Sequence, residues 1–274
     1  MPELPDLEVI REVLNRHIPG QRIQAVEVRR PIVLRPLDPI ETAESFLCGA
    51  TLGSVGRRGK FLLFAIDDDR WMAVNFMLTG RLRYCARNER VQARDCVLLR
   101  LDHGKDLRYH DARSMGKIYL TRDLNAIPGY DDMGPDPLDP ALTPEAFLQR
   151  LRRYPGEIKG ILVREAFVSG IGNAYADEIL FRAGIYPFRK RTTLSPEEQL
   201  ALYGAMRTVL QEAVVALRER VGEELHREVR DMLLVHNRKG EPCPRCGNTI
   251  SEIRLNQRAT HFCRHCQPGS LIRT

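Results

Sequence analysis

The paired motifs Cys243-Pro244-Arg245-Cys246 and Cys263-Arg264-His265-Cys266 decide how this chain is built. Each Cys-x-x-Cys forms a turn whose two sulfurs point at one centre, and two such turns supply four thiolates for tetrahedral Zn²⁺. A redox dithiol needs only one pair, so the doubled spacing favours a single structural zinc per chain. His261 and His265 are close enough in sequence to substitute as ligands, although four cysteines already close the site. A closed Cys₄ site leaves no position for water, so this metal folds a hairpin and does no catalysis. The ribbon from Asn237 to Thr274 carries Arg238, Lys239, Arg245, Arg254, Arg258, Arg264 and Arg273 against Glu241 and Glu252. That bias suits a polyanion. Arg258 lies between the cysteine pairs, where the tip of a hairpin would fall.

Upstream of the hairpin, residues 143–236 carry helical periodicity. Ile158–Val168 and Ala174–Arg182 read as two helices joined by Ser169-Gly170-Ile171-Gly172-Asn173. Two glycines permit a tight turn with positive φ. The second helix turns its positive dipole end and unpaired N–H groups to that corner, which suits phosphate. Asn173 is expected at the N-cap. The alternative is an ordinary packing corner between helices. Ser195-Pro196-Glu197-Glu198 is a capping box opening a long helix toward Arg220, and Thr143-Pro144-Glu145 is an N-cap with proline at the first helical position.

Residues 125–142 hold Pro128, Pro135, Pro137 and Pro140 among aspartates, the composition of a linker or hinge. Before it, residues 1–124 read as strands behind one helix. Phe61–Ile66, Trp71–Phe76, Cys96–Leu101 and Lys117–Leu120 are separated by turn chemistry such as Asp102-His103-Gly104. Leu7, Ile10, Val13 and Leu14 form one face of the helix that Pro5 opens and Pro19-Gly20 ends. The expected fold is α+β in two domains. An N-terminal antiparallel β-sandwich carries an N-terminal helix, and a C-terminal helical domain (143–236) carries the zinc hairpin (237–274).

The chain begins Met1-Pro2-Glu3-Leu4-Pro5-Asp6. Removal of Met1 would expose a proline amine, and α-amino groups titrate near about 7.7–8. Attack of that secondary amine on an aldehyde-like carbon gives an iminium with no N–H to lose, a permanently cationic electron sink. Glu3 beside it can donate or accept a proton. The plainer reading of the same residues is a helix start with Pro5 in its first turn.

The chain has 274 residues, 43% of them hydrophobic and 28% charged, with a formal net charge of +6. That is room for two domains and a basic balance compatible with a polyanion. No apolar run reaches the roughly 20 residues of a membrane span. Glu3, Asp6 and Glu8 stand where a secretory signal would be positive and then apolar, so the expected location is the cytoplasm, in association with the nucleoid. Cys48, Cys85 and Cys96 sit in apolar surroundings and read as small core residues.

Together these blocks resemble the formamidopyrimidine-DNA glycosylase and endonuclease VIII family, the zinc-finger DNA-repair enzymes with a helix–two-turn–helix motif. The resemblance runs through Met1–Pro5, Gly59-Lys60-Phe61, Leu107–Gly116, Val168–Glu178 and Arg238–Gln267, including Thr260-His261-Phe262-Cys263. It implies base excision repair on double-stranded DNA containing damaged bases or abasic sites, by a monomer that flips the base into a pocket between two domains. Pro2 would be the nucleophile, Glu3 the general acid and Lys60 the phosphate-binding lysine at the lesion. Asn173 and Arg258 would contact backbone phosphates. Leu78, Arg113 and Met115 would fill the gap left by the flipped base, the first and last as apolar wedges. Glu178 would support the structure.

The chain departs from the family pattern at several positions. Leu78 stands where methionine is usual and Met115 where phenylalanine is usual. Asp6 replaces a glutamate, and His236-Asn237 stands where Tyr-Gly is common. Arg218–Met232 reads as short, charged and helix-like, without the longer Gly/Thr-rich loop of members that prefer 8-oxoguanine. Three readings follow. The first is a bifunctional glycosylase and β,δ-eliminating abasic-site lyase acting on oxidised bases such as formamidopyrimidines. The second is a lyase-dominated, oxidised-pyrimidine or hydantoin-directed member with weak 8-oxoguanine activity. The third is a non-catalytic damaged-DNA binding protein.

Overall fold

A computed structural model of the chain describes residues 1–38, 42–255 and 258–269. It divides into two compact units, Met1–Asp131 with Leu217–Val229, and Asp132–Ala216 with Arg230–Thr274.

The first unit opens with helix α1 (Leu4–His17). It continues through strands β1 (Ile23–Val28) and β2 (Leu34–Pro36), the short helix α2 (Ala43–Leu47), and strands β3 (Leu52–Arg58), β4 (Phe61–Ile66), β5 (Arg70–Asn75), β6 (Gly80–Ala86), β7 (Asp95–Leu101), β8 (Lys105–Asp111) and β9 (Lys117–Thr121). One sheet has the order β1-β7-β8-β6 and the other β2-β9-β5-β4-β3. Every pairing is antiparallel except β2 with β9, where Leu34 sits opposite Ile118 in a parallel register. The core between them takes Leu62, Phe64 and Val74 from one sheet, Leu82, Leu99 and Leu107 from the other, and Leu7, Ile10 and Leu14 from α1. Each such side chain contributes about 1.5–3 kcal/mol of burial.

Two polar clamps fix α1 to β3. Asn15 Nδ2 donates to the Val55 carbonyl and Asn15 Oδ1 accepts the Val55 N–H, both at 2.8 Å. Glu8 Oε2 accepts from Arg57 Nε at 2.9 Å. Burial would raise the Glu8 pKa, but hydrogen bonds from Arg11 and Arg57 outweigh it and hold the carboxyl below its usual range.

The second unit contains helices α3 (Pro144–Leu151), α4 (Ile158–Leu162) and α5 (Asn173–Ala183), and most of α6 (Pro196–Val221). Strands β10 (Ile250–Leu255) and β11 (Arg258–Cys263) follow. The capping box of α6 forms as read, with Glu198 N–H donating to Ser195 Oγ at 3.2 Å and Ser195 N–H to Glu198 Oε2 at 2.8 Å. By length and composition α6 is apolar enough to cross a membrane, with a mean hydropathy of 1.3 over its best window; counting uninterrupted apolar runs does not reveal this. Its buried residues Leu202, Met206, Val209, Leu210, Ala213 and Leu217 recur at three and four, the stripe of a core helix.

Three local expectations need correction. The helix expected over Ile158–Val168 stops at Leu162. Its continuation is drawn elsewhere: the Phe167 carbonyl accepts from Arg150 Nε at 2.6 Å, the Ala166 carbonyl from Tyr154 Oη at 2.7 Å, and the Glu165 carbonyl from Gly134 N–H at 2.7 Å. The helical reading of Arg218–Met232 also fails beyond Val221, because Gly222 turns left-handed at φ +55°. The residues after it, grouped by periodicity with 143–236, belong through Val229 to the first unit. There Leu225 is buried in the core, Arg218 Nε donates to Glu12 at 2.7 Å, and Glu223 lies 2.6 Å from His17 Nε2. Finally, the N-cap of α5 is Gly172 and not Asn173, which is the first helical residue.

Candidate functional site

Glu3 is the N-cap of α1 and only 3% exposed. Its backbone N–H donates to Asp6 Oδ2 at 2.9 Å, and its side chain accepts the Asp6 N–H, so the two acids form a reciprocal capping box. The shorter Asp6 carboxylate is thereby turned onto the Pro2–Glu3 peptide. Pro2 is buried, and the Met1 amine lies 3.8 Å from Glu228 Oε1. Lys60 follows Gly59, left-handed at φ +54°, in the two-residue turn between β3 and β4. The strand that leads to this turn is the one clamped to α1.

Leu78, Arg113 and Met115 are all exposed, Leu78 at 44% and Met115 at 41%. They occupy two loops, one between β5 and β6 and one between β8 and β9. The buried residue that joins these loops is Asp111, to which the sequence reading of Leu107–Gly116 assigns no role. Its Oδ1 accepts from Thr79 Oγ1 and from the Arg113 N–H at 3.0 Å. Its Oδ2 accepts from the Gly116 N–H at 2.7 Å and from Tyr109 Oη at 3.4 Å. Burial alone would raise the Asp111 pKa; the donors from Thr79, Gly116, Arg113 and Met115 more than reverse this and hold it below 3.8. Two close approaches demand glycine: a Cβ at Gly80 would lie 2.3 Å from Tyr109 Oη, and one at Gly116 only 1.6 Å from it. The sequence signal is present, as Thr79-Gly80 and Asp111 with Gly116, but the bond from Thr79 to Asp111 that relates the two loops spans 32 residues.

In the second unit, of the two glycines in the α4–α5 corner only Gly170 adopts positive φ, at +90°. Asn173 is half-buried at the head of α5, and its Nδ2 donates to the Ala259 carbonyl at 2.8 Å. Arg258 is exposed and opens β11, paired with Leu255 at the end of the hairpin ladder. Residues 256–257 and Arg273 lie outside the described residues.

The four cysteines meet. Sγ of Cys243 and Cys266 are 3.8 Å apart, Sγ of Cys246 and Cys263 are 3.5 Å apart, and all four lie within 4.8 Å of one another. This donor set fits one structural Zn²⁺. Gly247 (φ +77°) lets the first turn close, with its N–H on the Cys243 carbonyl at 2.8 Å. Gln267 closes the second, accepting the Cys263 N–H at 3.0 Å and donating to the Ile185 carbonyl at 2.9 Å. The Asn248 backbone N–H is the main cause that brings the Cys246 thiol down to about 6. Burial and then the neighbouring thiols push Cys266 up to about 12, a cost that a bound cation would offset. His261 is not a ligand: its ring nitrogens lie 3.4 Å from Asp177 and 3.2 Å from Glu252. His265 is exposed beside the site.

Glu178 accepts three successive backbone N–H groups, from Leu234 at 2.8 Å, Val235 at 2.9 Å and His236 at 2.8 Å, so its carboxylate holds the entry to the hairpin. Burial outweighs these donors and raises its pKa. Asn237, where the family pattern has glycine, adopts φ +61°. Among non-glycine residues, asparagine is one of those that best tolerate this region.

The chain thus joins a two-sheet domain led by a Pro-Glu helix start, a glycine turn between helices and a Cys₄ hairpin. Comparison with known proteins agrees along the chain. Residues 1–118 match the formamidopyrimidine-DNA glycosylase N-terminal domain, residues 133–224 its H2TH domain, and residues 240–269 the zinc finger found in Fpg and isoleucyl-tRNA synthetase. The formamidopyrimidine-DNA glycosylase of Pelotomaculum thermopropionicum is 38% identical over 97% of this chain and 99% of its own. That of Symbiobacterium thermophilum is 38% identical over 98% of this chain and 90% of its own. A crystal structure of Lactococcus lactis Fpg in complex with DNA containing an abasic site superposes with a TM-score of 0.88 at 29% identity, covering 97% of this chain and all of that one. The chain belongs to the formamidopyrimidine-DNA glycosylase family.

Proposed function

We propose that this protein is a bifunctional base-excision-repair enzyme, a DNA glycosylase for oxidised bases that also cleaves the resulting abasic site. The observation that supports it most is the helix start itself. Glu3 is buried directly after Pro2, and Asp6 holds the peptide between them. With Met1 removed, the Pro2 nitrogen attacks C1′ of the damaged nucleotide, the base leaves with the electron pair of the glycosidic bond, and the proline N–H proton passes to the departing base. Glu3 protonates the ring oxygen as the sugar opens, work that needs a carboxyl within hydrogen-bond reach. The product is a Pro2–C1′ iminium. Loss of a C2′ proton into that electron sink expels the 3′ phosphate, and a second elimination expels the 5′ phosphate.

Lys60, at a left-handed turn beside the clamped strand, suits a phosphate next to the lesion. Asn173 at the head of α5 and Arg258 at the hairpin end suit backbone phosphates on double-stranded DNA. Leu78, Arg113 and Met115 are exposed loop residues of the size needed to occupy a vacated base stack. Zinc supplies no chemistry here; it sets the shape of the hairpin that carries Arg258.

One observation favours the narrower reading of weak 8-oxoguanine activity. The segment after α6 is pinned to the β-domain by Leu225, by the Glu223 pairing with His17, and by an Arg81–Glu228 ion pair. To close over a flipped purine, this segment has to withdraw Leu225 from the core.

The test is product analysis on formamidopyrimidine, 8-oxoguanine, thymine glycol and hydantoin duplexes. Base release with a gap bounded by two phosphates is expected, lost in Pro2→Gly and strongly reduced in Glu3→Gln. Equal activity of Pro2→Gly would exclude the proline mechanism. Binding of all duplexes without cleavage would favour the non-catalytic reading.

A further inference from the structure

Helix α5 grips the zinc hairpin through charge buried away from water. Asp177 is fully buried, and Lys159, on α4, is 7% exposed. Asp177 Oδ1 lies 2.6 Å from the Lys159 ammonium. Asp177 Oδ2 accepts the His261 backbone N–H at 3.1 Å and lies 2.7 Å from His236 Nδ1. Lys159 in turn donates to Thr260 Oγ1 at 2.8 Å and to the Ala259 carbonyl at 3.3 Å. That carbonyl is the one Asn173 also donates to. Ala259, Thr260 and His261 are the three residues that follow Arg258.

Asp177, His236 and His261 present donor atoms within 4.8 Å of one another, the spacing of a cation site. The Lys159 ammonium already neutralises Asp177, so the arrangement reads as an internal ion pair and not as a second metal centre. Buried ion pairs are poor sources of net stability, and their best-attested use is to fix register. Register matters on β11, because a one-residue slip moves every side chain to the opposite face of the strand. An Asn amide also has two N–H donors. One bonds the Ala259 carbonyl, and the second is the donor that would meet a phosphate while Asn173 holds the hairpin.

We propose that Asp177, acting through its own bond to the His261 N–H and through Lys159, is a positioning residue that locks β11 against Asn173 and so sets where Arg258 meets the DNA backbone. The helix–two-turn–helix corner and the zinc hairpin then form one phosphate-binding device and not two independent ones. This rests on the reading of Arg258 as a phosphate contact.

The experiment is a double-mutant cycle of Asp177→Asn and Arg258→Ala. Binding to a duplex with a tetrahydrofuran abasic analogue is followed by fluorescence anisotropy across salt concentrations, with zinc content measured for each variant. Asp177→Asn is expected to keep one zinc, to bind about tenfold more weakly, and to lower the slope of log affinity against log salt by about 1, as loss of one phosphate contact would. In the Arg258→Ala background it should add nothing. Losses that simply add would overturn the proposal while leaving Arg258 as a contact. An unchanged affinity for Arg258→Ala would remove both the contact and the proposal. If Asp177→Asn loses zinc, Thr260→Val takes its place, since it deletes one Lys159 bond and leaves the ion pair intact. The same dependence on Arg258 is expected of it, and an additive loss would overturn the proposal equally.

Discussion

Asp111 holds two loops at once because donors from separate segments occupy both of its oxygens. Asparagine in its place would present an N–H₂ group to one set of donors, and loss of a hydrogen bond to a charged group costs about 1.5–3 kcal/mol. Asp111→Asn should therefore slow excision of a damaged base by about tenfold or more, with a smaller effect on strand cleavage at a preformed abasic site, where no base remains to be held out. Single-turnover kinetics on the two substrates separate these. The pH sign follows from the depressed pKa. The contribution of Asp111 is complete above the ordinary 3.8 and is lost only as pH falls through the lower folded value. The ratio of wild type to variant should thus stay constant from about pH 5 to about pH 8; a ratio that drifts over that range would contradict the assignment. Gly116→Ala probes the same hub by sterics. Tyr109 is 3% exposed and has no room to withdraw, so a loss of about 1–3 kcal/mol is expected in thermal unfolding.

At the level of elements, the Cys₄ hairpin is the separable part. Cys243→Ser should loosen it and weaken DNA binding, while near-UV circular dichroism of the β-domain stays native; unchanged affinity would remove the hairpin from the interface. This element was legible in sequence because its ligands are local and their spacing states the metal geometry. The same holds for α1, for α6 with its capping box, and for strands such as Phe61–Ile66, which β4 reproduces residue for residue. Elements whose limits depend on distant partners were not legible. Periodicity runs on past Leu162, but the chain there turns out of the helix, with the Glu165, Ala166 and Phe167 carbonyls bound by Gly134, Tyr154 and Arg150. The hubs Asp111 and Asp177 were invisible for a related reason. Each is a single acid within a family-like block, and only the folded chain brings Thr79 to Asp111, and Lys159, His236 and His261 to Asp177.

For the whole molecule, the proposed DNA contacts divide between the two compact units, with Lys60, Leu78, Arg113 and Met115 in the first and Asn173 and Arg258 in the second. Affinity should accordingly fall steeply with salt, and Lys60→Ala and Arg258→Ala should each reduce the slope by about 0.9. A slope unchanged in both would mean that neither side chain neutralises a phosphate. The central claim is that Pro2 becomes the covalent nucleophile. Borohydride trapping on an abasic-site duplex, followed by mass spectrometry of the N-terminal peptide, tests it most directly. The account predicts a reduced adduct on Pro2 with Met1 absent, and none in Pro2→Gly. An adduct on a lysine, or tight binding with no adduct once Met1 is removed, would contradict it.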